Sequence, residues 1–409
     1  MNKIKQIIQN NKSYINHKSS KVKFNFLSIK NNENIIKSES SQKLNKIRNP
    51  GIELGRILAM FGIIIHHILL HGNAITKYSQ YKDIYKIYIS LNWHVSMYIF
   101  ISGYVGFKTT KYSNLLYLWF CALFYNIGFI KYFSIYKPNI YNRKIKLTDF
   151  FPVLTNQYWY FTAYFGMYLF LPVFNKGIEN INKSQLKIMI ITLIGVYIVL
   201  KDYIIPKFDT FKMNGGYSTI WFLIFYSTGA YFGKYKKERS LIKKIIYNVI
   251  YILIFYNSTN LCFVLTKLSF HGRNSKFKEE YIKFFKKLFI KRISALPMIL
   301  QSISLTLFLT NIKYNKYISK IITFFSPLTF GVYLIHDNNI IRAKVMKNIL
   351  NNYSKNLPFY SVVKIILIKA LKIFTKCSII DYLRNILFRI CQIRRLCVFI
   401  EKLIFFIFG

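Results

Sequence analysis

The sequence predicts an all-α fold, a polytopic transmembrane helix bundle of about ten spans. Three observations carry that prediction. Hydrophobic residues make up 53% of the 409, and the mean hydropathy is +0.26. They come in blocks of about 20 residues, the length that crosses a bilayer core. Short Lys-rich loops separate the blocks, as they do in membrane proteins whose orientation is set by basic loop residues.

The formal net charge of +45 would by itself suggest a nucleic-acid binder. Its placement excludes that reading, because the basic residues fall in loops and tails and no nucleic-acid-binding signature occurs. The Lys excess accompanies an excess of Ile, Asn, Tyr and Phe across the whole chain. A surface of this sign favours anionic lipid headgroups. Five cysteines, Cys121, Cys262, Cys377, Cys391 and Cys397, form no CxxC pair and are odd in number, so neither a disulfide framework nor a zinc site is indicated.

Taken in order, residues 1–47 are rich in Lys, Asn and Ser and read as a disordered basic cytoplasmic tail. They contain no apolar core of a signal peptide. The first span runs through Gly51–Leu70. About nine more are expected, near 86–107, 112–133, 157–175, 186–205, 217–233, 244–266, 293–312, 319–336 and 359–380. An even count puts both termini on one side, and the basic stretches at 108–111, 234–244 and 384–395 make that side the cytoplasm. The 267–292 loop runs against the rule, with nine Lys or Arg against two Glu. The transmembrane domain is thus expected over 48–384, followed by a basic and apolar tail at 385–409 that lies along the membrane interface.

The first span carries groups that are costly in a bilayer. Glu53, Arg56, His66, His67 and His71 interrupt it. A charged side chain at the centre of a span costs at least about 2.5 kcal/mol, so such residues mark function by default. Arg56 and His67 are eleven residues apart, about three turns and about 16 Å of rise, so both project from nearly one face. Glu53 and His71 extend the same stripe at i,i+3 and i,i+4 spacing. His66 is turned about 100° away and reads as packing or support. His67 and His71 have the spacing of a metal pair, but the nearby sequence holds no carboxylate or third His to complete it, and no metal is expected. Ser102 and Gly103 are small enough for close helix approach, as are Gly229 and Ala230. Trp159 and Tyr160 read either as interfacial belt residues or as walls of an acceptor site. His336 and Asp337 end a later span and form a candidate second site.

These segments resemble the acyltransferase 3 family. RNPGIELGRILAMFGIIIHH resembles its first helix, whose hallmark is an Arg, ten residues, then a His; Arg56 and His67 fit. FISGY at 100–104 resembles its second-helix motif, and NQYWYFTAYFGMYLFLPVFN at 156–175 its Trp-Tyr motif. GGYSTIWFLIFYSTGAYFGKY at 215–235, SPLTFGVYLIHDN at 326–338 and IIDYLR at 379–384 resemble later segments of the branch that acylates surface polysaccharides. The match covers about 47–390 in family order. The chain departs from the pattern in its longer N-terminal tail, in the 267–292 loop, and at Gly55, where a large apolar residue is usual.

The resemblance implies an integral membrane enzyme moving an acyl group, usually acetyl, from acetyl-CoA or another acyl-CoA to a hydroxyl of a carbohydrate or glycolipid acceptor. No tightly bound cofactor is implied. In that chemistry His67 is the general base or the acyl carrier. Arg56 positions the donor, with Glu53 beside it as a donor-site group or as its neutralising partner. His71, Ser102, Trp159, Tyr160 and His336 are candidate substrate-binding residues. Tyr104, Asn156 and Tyr160 are candidate oxyanion donors. The alternative is a transporter or flippase of glycan or lipid-linked substrate, which would use the same buried charges but should show internal repeats. No self-similarity of that kind is visible.

Overall fold

The computed structural model describes residues 48–108, 110–204, 209, 211–271 and 292–408. Of residues 201–204, 265–271 and 408 it describes the backbone alone. The expected N-terminal tail and residues 272–291 of the basic 267–292 loop lie outside these residues. Every regular element among them is helical.

Helix α1 (Pro50–Leu70) begins at Asn49, whose side chain accepts from the backbone N–H groups of Gly51 (2.8 Å) and Ile52 (3.4 Å). Pro50 occupies the first turn, where no N–H partner is needed. Glu53 sits in the same turn, where the helix dipole favours a carboxylate. After the short α2 (Ala74–Lys77) and α3 (Lys82–Ser90) comes α4 (Trp93–Gly106). The single span expected over 86–107 is therefore two helices. The chain breaks at Leu91 and Asn92, where Ser90, Asn92 and His94 interrupt the apolar run.

Next are α5 (Tyr112–Tyr136) and α6 (Trp159–Asn180), then α7 (Lys183–Ile194), which continues as a π-helix over Gly195–Ile204. They are followed by α8 (Thr219–Lys234), α9 (Leu241–His271) and α10 (Leu296–Asn311). Helices α11 (Lys316–Phe325) and α12 (Thr329–His336) form one apolar stretch bent at Ser326–Leu328, where Pro327 interrupts the backbone ladder. The short α13 (Asn339–Ile341), a π-turn at Arg342–Met346, α14 (Phe359–Ile390) and α15 (Ile393–Phe408) complete the chain.

Among the described residues, five stretches are long and apolar enough to cross a membrane: Pro50–Leu70, Tyr112–Tyr136, Lys183–Leu200, Leu241–Val264 and Lys316–His336. The other expected spans are also helical but shorter or more polar. Lys364, Lys369, Lys372 and Lys376 dilute α14, for example. Helix α14 continues past Arg384 to Ile390, and α15 lies against α5, with Tyr112 and Phe405 in ring contact at 6.4 Å.

Helix α1 is the interior element. Of its apolar window 67% is buried, against 17% for Lys183–Leu200 and for Leu241–Val264. It touches α4, α10, α11, α12 and α14. The tightest seam is between α4 and α8. A Cβ on Gly103 would lie 1.9 Å from the Tyr226 carbonyl oxygen, and one on Gly229 would lie 2.1 Å from that of Phe100. The backbones meet there because neither residue has a side chain. At Gly55 the Met97 methyl group fills the space a side chain would take.

Candidate active site

The ionisable residues of α1 divide into two groups. At its cytoplasm-facing start by the expected topology, the Arg56 Nη1 donates to both Glu53 oxygens at 2.8 and 2.9 Å. The Ser326 hydroxyl, delivered by the bend between α11 and α12, donates to Glu53 Oε2. Glu53 is buried and Arg56 is 27% exposed. Glu53 thus neutralises Arg56, and Tyr98 anchors the same turn by donating to the Arg56 carbonyl at 2.6 Å.

Arg56 faces a cavity of about 440 Å³. Ser102, Tyr164, Tyr226, Phe330, Arg384 and Arg394 are among the residues that share its walls. Arg384 is buried and tied to Asp381 (2.6 Å) and to the Tyr117 hydroxyl (2.9 Å). Arg394 is exposed, lies 4.8 Å from the centre of the Tyr117 ring and donates to Asn114 at 3.3 Å. The sequence reading missed both arginines. The IIDYLR segment signalled Arg384 through an Asp–Arg pair inside an apolar helix. Arg394 lay in the stretch assigned to the tail.

The second group lies about three turns along α1. His67 Nδ1 is 3.1 Å from His336 Nε2 and 3.6 Å from Asp337 Oδ1. His336 Nδ1 is 2.6 Å from the Val332 carbonyl oxygen. A carbonyl only accepts, so His336 Nδ1 carries the hydrogen. In neutral His336 the Nε2 is then an acceptor, and His67 must donate to it from Nδ1. Nε2 of His67 is left with its lone pair. Two imidazoles and one backbone carbonyl thereby fix the tautomer of the motif histidine.

The HDN run after α12 is used residue by residue. Asp337 accepts from Arg342 Nη1 at 3.3 Å. Asn338 caps α13 through the Ile340 N–H (3.0 Å) and donates to the Tyr158 hydroxyl (3.0 Å). Tyr158 in turn donates to the Leu334 carbonyl at 3.1 Å. These bonds hold the end of α12, and with it His336, against α6.

His71 stands beside His67, ring centres 5.1 Å apart. His66 points elsewhere, stacked on Tyr88 at 4.5 Å and edge-on to His94 at 5.2 Å. That is the packing role its rotation implied. Five of the chain's seven histidines therefore gather at one end of α1.

The remaining candidates are distributed. Ser102 joins Arg56 in the cavity while bonding back to the Tyr98 carbonyl at 2.9 Å. Tyr160 packs between Tyr98 (6.3 Å) and Tyr333 (5.9 Å), and Tyr333 is 6.4 Å from His336. An aromatic wall thus links the level of Arg56 to that of His336. Trp159 lies against Tyr217 at 4.4 Å. Tyr104 lines a separate cavity of about 180 Å³ with Lys183 and Arg239, and Asn156 sits in the loop before α6 with φ 54°. His67 is not among the walls of the Arg56 cavity.

An acyltransferase domain, that of the acyltransferase 3 family, matches residues 49–369, most of the chain, taking in both groups on α1 but ending before Arg384 and Arg394. Comparison with curated proteins returned no match. Comparison with solved structures returned none either.

Proposed function

The chain belongs to the acyltransferase 3 family and is a membrane acyltransferase, and from that premise we propose that it moves an acetyl group from acetyl-CoA to a hydroxyl of a carbohydrate or glycan acceptor. His67 is the general base. The observation that carries this reading is the bond from His67 Nδ1 to His336 Nε2, which leaves His67 Nε2 as a held, unprotonated acceptor.

An alcohol is a weak nucleophile at neutral pH, and a positioned base contributes roughly 10²–10⁴-fold. In the proposed step the acceptor O–H gives its proton to His67 Nε2 while the oxygen attacks the thioester carbonyl carbon. The tetrahedral oxyanion collapses, the C–S bond breaks, and the departing thiolate takes the proton back from His67. Ester and CoA thiol are the products. An acyl-imidazole route would use the same Nε2 as nucleophile. The His336 contact serves both routes.

On the donor side we assign Arg56 to hold the acyl-CoA in the cavity it lines, with Arg384 and Arg394 adding positive charge toward the phosphates. Glu53 and Ser326 orient Arg56. The roughly 16 Å between Arg56 and His67 along α1 suits a donor whose long pantetheine arm reaches from a phosphate site to the thioester. We assign both termini to the cytoplasm, with the donor entering from that side.

Membranes containing the wild-type chain, His67→Ala or Arg56→Ala, given radiolabelled acetyl-CoA, test the proposal. Label should pass to the glycan fraction with wild type and fall at least a hundredfold with His67→Ala. Equal labelling by wild type and His67→Ala would remove His67 from the chemistry.

A further inference from the structure

Three potential metal ligands converge where α1 ends. His67, His71 and Asp337 each offer a ligand atom, and these atoms all lie within 4.8 Å of one another. The Asp337 carboxyl is buried, and its two oxygens are used unequally. Oδ1 accepts from Arg342 and lies 3.6 Å from His67, whereas Oδ2 is buried without a hydrogen-bond partner. A buried carboxylate oxygen with nothing to bind is costly and asks for a donor or a cation.

The donor set is chemically specific. Two imidazoles and one carboxylate are the ligands of open tetrahedral zinc sites, at about 2.0–2.2 Å, with the fourth position left to water. Such an ion holds its ligands about 3.3 Å apart by tetrahedral geometry, so side-chain rotation must draw the ligand atoms, now within 4.8 Å of one another, together by up to about 1.5 Å. His71, in the turn that ends α1, is partly exposed and is the least buried of the three. Arg342 supplies the outer shell by holding Oδ1, and Oδ2 is the carboxylate oxygen left without a partner. Its side chain is 34% exposed, so solvent screens its repulsion of a second cation.

We propose that His67, His71 and Asp337 form a binding site for one zinc-like divalent transition-metal ion. Occupancy engages His67, so metal binding and acyl transfer exclude each other. That consequence rests on His67 being the base, whereas the binding itself does not.

The test needs no acyl donor. The full chain, solubilised in detergent, stripped with chelator and freed of any affinity tag, is titrated with Zn²⁺ by calorimetry and with Co²⁺ in the visible. The expected result is one ion per chain and the intense d–d bands of tetrahedral cobalt. His71→Ala and Asp337→Asn should each weaken binding by at least the roughly 10–100-fold that loss of a supporting group brings. His66→Ala, outside the site, should bind as wild type. No binding, an octahedral cobalt spectrum, or unchanged affinity in both variants would overturn the site. If a variant aggregates, the wild-type stoichiometry and cobalt spectrum decide. A chain that binds zinc yet, once stripped of metal, transfers no acetyl group would sink the catalytic reading and leave the metal site standing.

Discussion

His336 has one neutral arrangement that satisfies both of its ring nitrogens, and that arrangement dictates the tautomer of His67. The bond from Nδ1 to the Val332 carbonyl makes His336 Nε2 an acceptor, so its partner must be a donor. His336 is therefore a positioning residue, and its removal should act through orientation rather than through substrate contact. His336→Leu should lower kcat roughly tenfold or more, within the range a general base commands. His336→Gln should lose less, because an amide oxygen can still accept from His67 Nδ1. KM for acetyl-CoA should stay constant in both. Steady-state kinetics on the two variants check this, and equal losses in kcat from Leu and Gln would reduce His336 to packing. A second residue-scale prediction concerns Asp149, in the loop after α5. Arg143 grips both of its oxygens at 2.7 and 2.8 Å and holds its carboxyl below the usual carboxylate range. A depressed folded value stabilises above the unfolded pKa of about 3.9, and the stabilisation is lost as pH falls through the folded value. Asp149→Asn should cost about 1 kcal/mol near neutrality, since the pair is partly solvated. The difference from wild type should close in melts recorded below about pH 4.

At the scale of elements, the α4–α8 seam should be the least tolerant of added volume. Gly103 and Gly229 let backbone meet backbone, and a side chain at either would collide with a carbonyl oxygen that has nowhere to move. Gly229→Val should therefore destabilise the solubilised protein by more than the roughly 1–3 kcal/mol usual for overpacking. Gly128→Val, on a face of α5 with nothing within 4 Å, should be tolerated far better. Melting temperature and yield of the two variants provide the comparison. Small residues of this kind were legible in the sequence because they act within one helix face. So were the span of α1, its embedded charges and the different facing of His66. Contacts between distant segments were not legible. His67 and His336 are 269 positions apart, and helical periodicity carries no information on which faces meet. The same limit hid the carboxylate. No acidic residue lies near the His67–His71 pair in sequence, and the fold brings Asp337 to it. The break at Leu91 and Asn92 did leave a mark, the polar Ser90, Asn92 and His94, but apolar blocks on both sides let it read as one span.

Across the whole molecule, the two groups on α1 sit at different depths, and the cavity that reaches Arg56 stops short of His67. If acetyl-CoA occupies that cavity, binding and chemistry should separate in kinetics. Arg394 is the wall residue best suited to show it. It is exposed, is held by one hydrogen bond to Asn114 and by its contact with the Tyr117 ring, and takes no part in the buried Asp381–Arg384 pair. Arg394→Glu should fold normally and place a repulsive charge where the donor's phosphates arrive. KM for acetyl-CoA should rise several-fold, with kcat at saturation unchanged, the signature of lost uniform binding. An exposed charge acts within a Debye length, about 10 Å at 0.1 M salt. Raising ionic strength should therefore increase KM in wild type and decrease it in Arg394→Glu, so that the two values converge. His67→Ala should retain the donor affinity of wild type in equilibrium binding while losing transfer. A fall in kcat with unchanged KM in Arg394→Glu would move the donor out of this cavity.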